Sequence, residues 1–154
     1  MTGKLSLVTI GYEGASLAAF IDTLKEAGVT LLLDVRELPS SRRKGFSKTP
    51  LADALASEGI TYRHERELGT PKSLRHQYRE DGDRERYFAA FREFLKAREK
   101  LLGEVAASLQ GTVALMCFER KPEECHRSIV ATELAKRTRA KCTHLFVAEA
   151  GFLS

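Results

Sequence analysis

The sequence predicts a single α/β domain over residues 1–154, built on a mainly parallel sheet of about five strands with helices on both faces. Three observations carry that prediction. Short apolar runs of strand length alternate along the chain with segments of helical periodicity, the pattern of repeated strand–helix–strand units. Two of the runs, residues 29–35 and 113–118, are almost continuously apolar, as expected of strands covered on both faces. Repeats, low-complexity tracts and linkers are missing from the sequence, so nothing divides it.

Residues 5–10 form the first strand, closed by Gly11-Tyr12-Glu13-Gly14, whose glycines permit a tight turn. Ser16 is placed to cap the next helix, where Leu17, Phe20, Ile21 and Leu24 recur at helical spacing and Gly28 ends the pattern. Residues 29–35 are the second strand. The loop after Arg36 is long and basic, with Pro39 and Gly45, and Thr49-Pro50 opens a short helix that stops at Gly59. Residues 60–64 alternate like a third strand, and 65–83 read as a polar, turn-rich cover over one end of the sheet. One long helix is expected from Arg84 to about Leu102, because Tyr87, Phe91, Phe94, Leu95 and Leu102 trace one stripe. Residues 113–118 are the fourth strand. Pro122 takes a first helical position after it, the helix runs to about Arg137, and residues 143–147 make the last strand.

Composition narrows the function classes. The chain has 154 residues, 43% of them apolar, and no run approaches the roughly 18 apolar residues of a membrane span. It reads as cytosolic, with no membrane partner. Three cysteines and no signal-peptide pattern argue against a disulfide framework and for reduced thiols. The net charge of +4 is unevenly placed: residues 36–79 hold ten Lys or Arg against five acids, of 25 and 21 in the whole chain. Such an excess suits a phosphate-bearing partner, and it also suits a plain solvated face.

In parallel sheets ligands bind beyond the carboxyl ends of the strands. Glu13, Asp34, Arg36, His64, Glu65, Cys117 and Glu119 all fall at those ends. The turn after the fourth strand adds Cys125, His126 and Arg127 near a helix start, where backbone N–H groups favour an anion or a thiolate. The sequence therefore offers Cys125 or Cys117 as a reactive thiol, Asp34 or Glu119 as acid or base, and Arg36, Arg42 and Arg127 as anion contacts. Tyr12, Glu13, Arg43, Phe46 and His126 complete the candidate ligand site. Equally, Cys117 reads as a small buried apolar residue, Phe46 as core, and Asp34 with Arg36 or Arg127 as a structural ion pair.

Several templates fail on spacing. Neither cysteine has the Cys-x5-Arg pattern of a phosphatase loop, and the residues after Cys117 lack the glycine of a sulfur-binding loop. Cys117, Cys125 and His126, with His64 as a further candidate, are acceptable zinc or iron ligands, yet Cys-x7-Cys-His is not a recurrent zinc spacing and no metal is assigned. Gly11-x-x-Gly14 is too short for a dinucleotide fingerprint, so the sequence names no cofactor. Helix-turn-helix, zinc-finger and RNA-recognition signatures are missing as well.

Three groups of residues, taken together, resemble the family called domain of unknown function 488 over nearly the whole chain. They are Thr9-Ile-Gly-Tyr-Glu-Gly14; Asp34-Val-Arg36 with Pro39, Ser41, Arg42 and Phe46; and Cys117-Phe-Glu119 followed by Cys125-His-Arg127. The resemblance implies a compact α/β domain in which these positions line a shared pocket, and it implies no particular reaction. The expectation is an electropositive pocket at the carboxyl edge of the sheet. It would bind a phosphorylated ligand, a nucleotide or nucleic acid, and act on it with a reactive cysteine. The alternatives are a non-catalytic nucleic-acid or nucleotide-binding module and a Cys/His metal-binding protein.

Overall fold

The computed structural model describes residues 4–147. Five strands form one sheet in which every pairing is parallel: β1 (Ser6–Gly11), β2 (Leu31–Asp34), β3 (Thr61–His64), β4 (Thr112–Cys117) and β5 (Lys141–His144). Their order across the sheet is β3-β2-β4-β1-β5. Six helices connect them: α1 (Leu17–Glu26), α2 (Lys48–Ala56), α3 (Lys72–Asp81), α4 (Arg84–Lys96), α5 (Glu99–Ser108) and α6 (Arg127–Thr138). The α/β class with a parallel sheet is as the sequence predicts.

Alternation along the central strands divides the core in two. Leu33, Val113, Leu115 and Cys117 turn to one face, where Phe91, Leu95, Leu102, Val105, Val130 and Leu134 cover them from α4, α5 and α6. Val8, Ile10, Leu32, Ala114 and Met116 turn to the other, against Phe20 and Leu24 of α1 and Leu51 and Leu55 of α2. Both faces of β4 are therefore apolar, which is the physical reason its sequence shows no polar alternation.

The chain leaves β1 through α1 on one face toward β2, and leaves β4 through α6 on the other face toward β5. The carboxyl ends of these adjacent strands thus open onto a point where the connections diverge, the usual place for a ligand crevice in an open parallel sheet. Gly11 is aligned with Cys117 in the register there. A side chain on Gly11 would run into the backbone carbonyl of Glu119, so glycine lets the loop after β4 close over the end of β1.

Several elements differ from the sequence reading. The long helix is two: α4 stops with Ala97 as its cap and α5 starts at Glu99, with Arg98 (φ −117°, ψ 29°) outside helical geometry. Residues 65–83 are largely helical, because α3 and a 3-10 turn at Arg66–Leu68 occupy them. After Pro122 comes a 3-10 turn (Pro122–Glu124), and the α-helix begins only at Arg127. Cys125 therefore precedes α6, and His126 occupies its cap position. The last strand starts earlier than expected, at Lys141.

Candidate functional site

Asp34 ends β2 and is fully buried, and the extended chain beyond it brings Arg36 back to the same side. Arg36 donates from Nε to Asp34 Oδ1 at 2.9 Å and from Nη2 to Oδ2 at 2.8 Å, while its backbone N–H donates to Oδ1 at 3.1 Å. Tyr62, from β3, donates its hydroxyl to Oδ2 at 2.5 Å. Burial opposes the charge on Arg36, but the hydrogen bonds and charge of Asp34 outweigh it and raise the guanidinium above its ordinary value. Burial, then Asp34, also pushes the Tyr62 hydroxyl up, so it stays a donor. Arg36 Nη1 donates to Tyr12 Oη at 3.2 Å. Nε, Nη1 and Nη2 each make one of these bonds, so the guanidinium is held on every nitrogen while one edge of it borders open space.

Arg36 forms one wall of a hollow of about 220 Å³, with Tyr12, Arg75, Cys117, Glu119 and His126 around it. A second hollow of about 350 Å³ adjoins it, sharing Arg75, Tyr87 and Glu119 and adding Tyr78 and Arg79. Arg75 is anchored by Glu37 Oε1 at 2.8 Å and by the Thr70 carbonyl. Both arginines therefore hold fixed positions against carboxylates.

Cys117 and Cys125 form a disulfide, their Cα atoms 7.2 Å apart, where the sequence reading expected reduced thiols. Topology corrects that expectation: the turn after β4, itself largely at the surface, folds back and brings the two buried sulfurs together on the α6 face. Both cysteines are buried, and only Cys117 lines the hollow. Glu119 Oε1 lies 3.6 Å from Cys117 Sγ, and burial pushes the Glu119 carboxyl up against the opposing pull of Arg127. His126 Nε2 is 2.7 Å from the Val35 carbonyl oxygen, which can only accept, so Nε2 carries the hydrogen. Burial pushes the imidazole down to about 4, leaving it neutral with a bare Nδ1 directed at Cys125 Sγ, 3.9 Å away.

The remaining candidates serve the walls. Arg127 is fully buried and donates to the carbonyls of Glu119 and, at 3.2 Å, of Arg120. Burial lowers it to about 10, and its place is beneath the loop rather than in the hollow. Glu13 Oε1 accepts from the Arg120 backbone N–H at 3.0 Å and ties the same loop to β1. Phe46 is buried and stacks on Tyr12 with ring centres 4.5 Å apart. Arg43 donates to the Ala15 carbonyl, and Arg42 lies exposed on the basic loop outside the hollow. Asp34 orients Arg36 from below, and His64 Nε2 is engaged with the Arg36 carbonyl at 2.7 Å.

The sequence reading did not single out Arg75 or Tyr87 for the pocket. Arg75 falls in α3, which buries no residue and so shows no apolar stripe to reveal it. Tyr87 lies in the apolar stripe of α4, where its periodicity signals only core.

A family model described as domain of unknown function DUF488 matches residues 16–134. Comparison with curated proteins gives no match, and neither does comparison with solved structures. Among the described residues no helix is long and apolar enough to cross a membrane.

Proposed function

Since the chain belongs to the DUF488 family, whose description assigns no reaction, we propose from its own residues that the paired hollows bind a small phosphorylated ligand of nucleotide size. In the same reading the Cys117–Cys125 pair supplies the site's chemistry when reduced. The observation that carries this is Arg36, clamped by buried Asp34 and lining the same hollow as Cys117. A guanidinium so fixed loses little freedom on meeting an anion, and charge-assisted hydrogen bonds to phosphate are the strong kind. Arg75 is the second cationic contact. The smaller hollow alone falls below the roughly 300–1,000 Å³ usual for small-molecule pockets, whereas hollows of about 220 and 350 Å³ side by side reach that range. Tyr78, stacked on Tyr87 at 4.5 Å, gives the second hollow an aromatic surface for a base.

Calorimetric titration with inorganic phosphate and with each of the four nucleoside monophosphates tests this reading. Binding is expected to weaken about tenfold in Arg75→Gln, the scale of one charge-assisted hydrogen bond. Arg75 is partly exposed, so this variant keeps the fold. Heat-silent titrations with all five probes would remove the reading.

A second reading rests on Arg42, Arg43 and Lys44, exposed on the loop between β2 and α2, and on exposed Lys48 at the first position of α2. They would track a nucleic-acid backbone without catalysis. Affinity for a labelled single-stranded oligonucleotide that falls steeply with salt, and is lost in Arg42→Ala with Lys44→Ala, would favour it over the pocket.

A further inference from the structure

We infer that Cys117, Cys125 and His126, once the disulfide is reduced, hold one divalent transition-metal ion of the zinc class at the floor of the pocket, with one coordination position open to the bound ligand. The inference deepens the pocket reading and rests on it only for that open position. Sγ of Cys117, Sγ of Cys125 and a ring nitrogen of His126 lie within 4.8 Å of one another. All three residues are buried, at 2%, 1% and 7% exposure, so a bound ion would meet few waters beyond those in the pocket.

The imidazole is set for ligation. Val35 accepts the Nε2 hydrogen at 2.7 Å, which fixes the tautomer and the ring plane and leaves Nδ1 as the donor facing the sulfurs. That is the outer partner a metal-binding histidine ordinarily has. Among the described residues the cluster holds these three donors, and His64 is not one of them.

Backbone spacing points the same way. The cysteine Cα atoms stand 7.2 Å apart, beyond the roughly 4.4–6.8 Å usual for a disulfide. Two thiolates at about 2.3 Å from one tetrahedral ion have sulfurs about 3.8 Å apart, which a wider backbone spacing accommodates. Charge agrees as well. Two buried thiolates would carry a double negative charge, and a divalent cation offsets it in place.

Two thiolates and an imidazole are a soft to borderline set, suited to zinc or cobalt and unsuited to magnesium or calcium. Three protein donors leave the fourth position vacant, as in catalytic rather than structural zinc sites. Cys117 and His126 both line the hollow, so the vacant side of the cluster faces it. A phosphate oxygen held by Arg36 would be the natural occupant.

The test begins with the full chain treated anaerobically with a phosphine. The phosphine supplies two electrons and becomes the oxide, and water supplies that oxygen and the two protons that convert the disulfide to two thiols. Cobalt(II) is then titrated in, displacing both thiol protons to solvent. One equivalent is expected to bind, with a thiolate-to-cobalt charge-transfer band and the intense visible bands of four-coordination. Cys117→Ser and Cys125→Ser should each lose most of that band, and Cys142→Ser should keep it. On the unmutated chain, zinc should displace cobalt and protect Cys117 and Cys125, but not Cys142, from alkylation. This second readout needs no variant to fold. A reduced chain with both thiols open to alkylation and no charge-transfer band would overturn the metal site, as would a band that survives either serine variant. Visible bands unchanged by added inorganic phosphate or azide would overturn the open position. Phosphate binding by the metal-free chain is measured separately, so the metal site and the pocket fail independently.

Discussion

Asp34 shows how one side chain sets the geometry of the site. Its carboxylate is fully buried and accepts from three Arg36 nitrogens and from the Tyr62 hydroxyl. Removing the charge leaves the guanidinium of Arg36, 7% exposed, without its counter-ion. Asp34→Asn is therefore expected to lower stability by about 3–5 kcal/mol, the scale of a broken buried pair. Urea unfolding checks it, and a loss under about 1 kcal/mol would put the pair in the class of exposed ion pairs. The sequence offered Arg36 or Arg127 as the partner of Asp34, and the structure selects Arg36, two residues on in extended chain and so on the same side. The Nε2 bond of His126 was not legible in the sequence, because its partner is a backbone carbonyl ninety-one positions away. At the far edge of the sheet, the Thr9 hydroxyl and His144 Nδ1 are 2.6 Å apart. Desolvation lowers the His144 value below 6.5, with Arg127 adding to it. The unfolded chain then binds more protons between the two values, so this contribution to stability is present above pH 6.5 and declines as pH falls toward the folded value. An imidazole NMR titration should place the His144 midpoint below 6.5, and a midpoint at or above it would contradict the desolvation argument.

Helices and loops were legible where they bury an apolar stripe. α1 declares itself through Phe20, Ile21 and Leu24 and through Ser16, whose Oγ accepts from the Ala19 N–H at 3.1 Å. α3 buries no residue fully and offers the core only the half-buried Leu74, too little of a stripe to read. The break between α4 and α5 is hidden for the opposite reason: Leu95 and Leu102 are seven residues apart, two full turns, so the stripe runs on across a helix that does not. There the Arg98 guanidinium lies 3.5 Å from the centre of the Phe94 ring and donates to the Phe94 carbonyl at 3.2 Å. The loop after β4 is likewise fixed by partners distant in sequence: Gly11 beneath Glu119, Glu13 on the Arg120 N–H, and Arg127 on two carbonyls. Gly11→Ala forces a methyl group into the Glu119 carbonyl, so the loop has to lift. The expected cost is about 1–3 kcal/mol, as for overpacking in a filled core. Phosphate affinity should fall with it, because Glu119 and Cys117 shift together. A variant with wild-type stability would show that the loop yields freely.

Across the whole molecule, alternation of strands and helices announced the parallel sheet but not the order β3-β2-β4-β1-β5. That order fixes the site, since it sets β4 between β2 and β1 and so brings Arg36, Tyr12 and Cys117 to one opening, with Asp34 buried behind Arg36. The same closure lets the oxidation state of one cysteine pair act on global stability. The disulfide joins residues eight positions apart, and closing so short a loop restricts the unfolded chain by about 2.5 kcal/mol in the chain-entropy account. Reduction should lower the melting temperature by about 5–10 °C, at about 2–4 °C per kcal/mol for a chain of this size, with the loop that carries Glu119 released first. Zinc at about a hundred times its dissociation constant would return about 2.7 kcal/mol by mass action, close to the whole loss. Three melts on one preparation, oxidised, reduced with chelator, and reduced with zinc, are therefore expected to rank the middle sample lowest and the outer two close together. Equal melting of the oxidised and chelated samples would mean that the bridge adds nothing to the fold. A zinc-treated sample that melts with the chelated one would mean that the reduced pair and His126 hold no ion, and the pocket would then rely on its arginines alone.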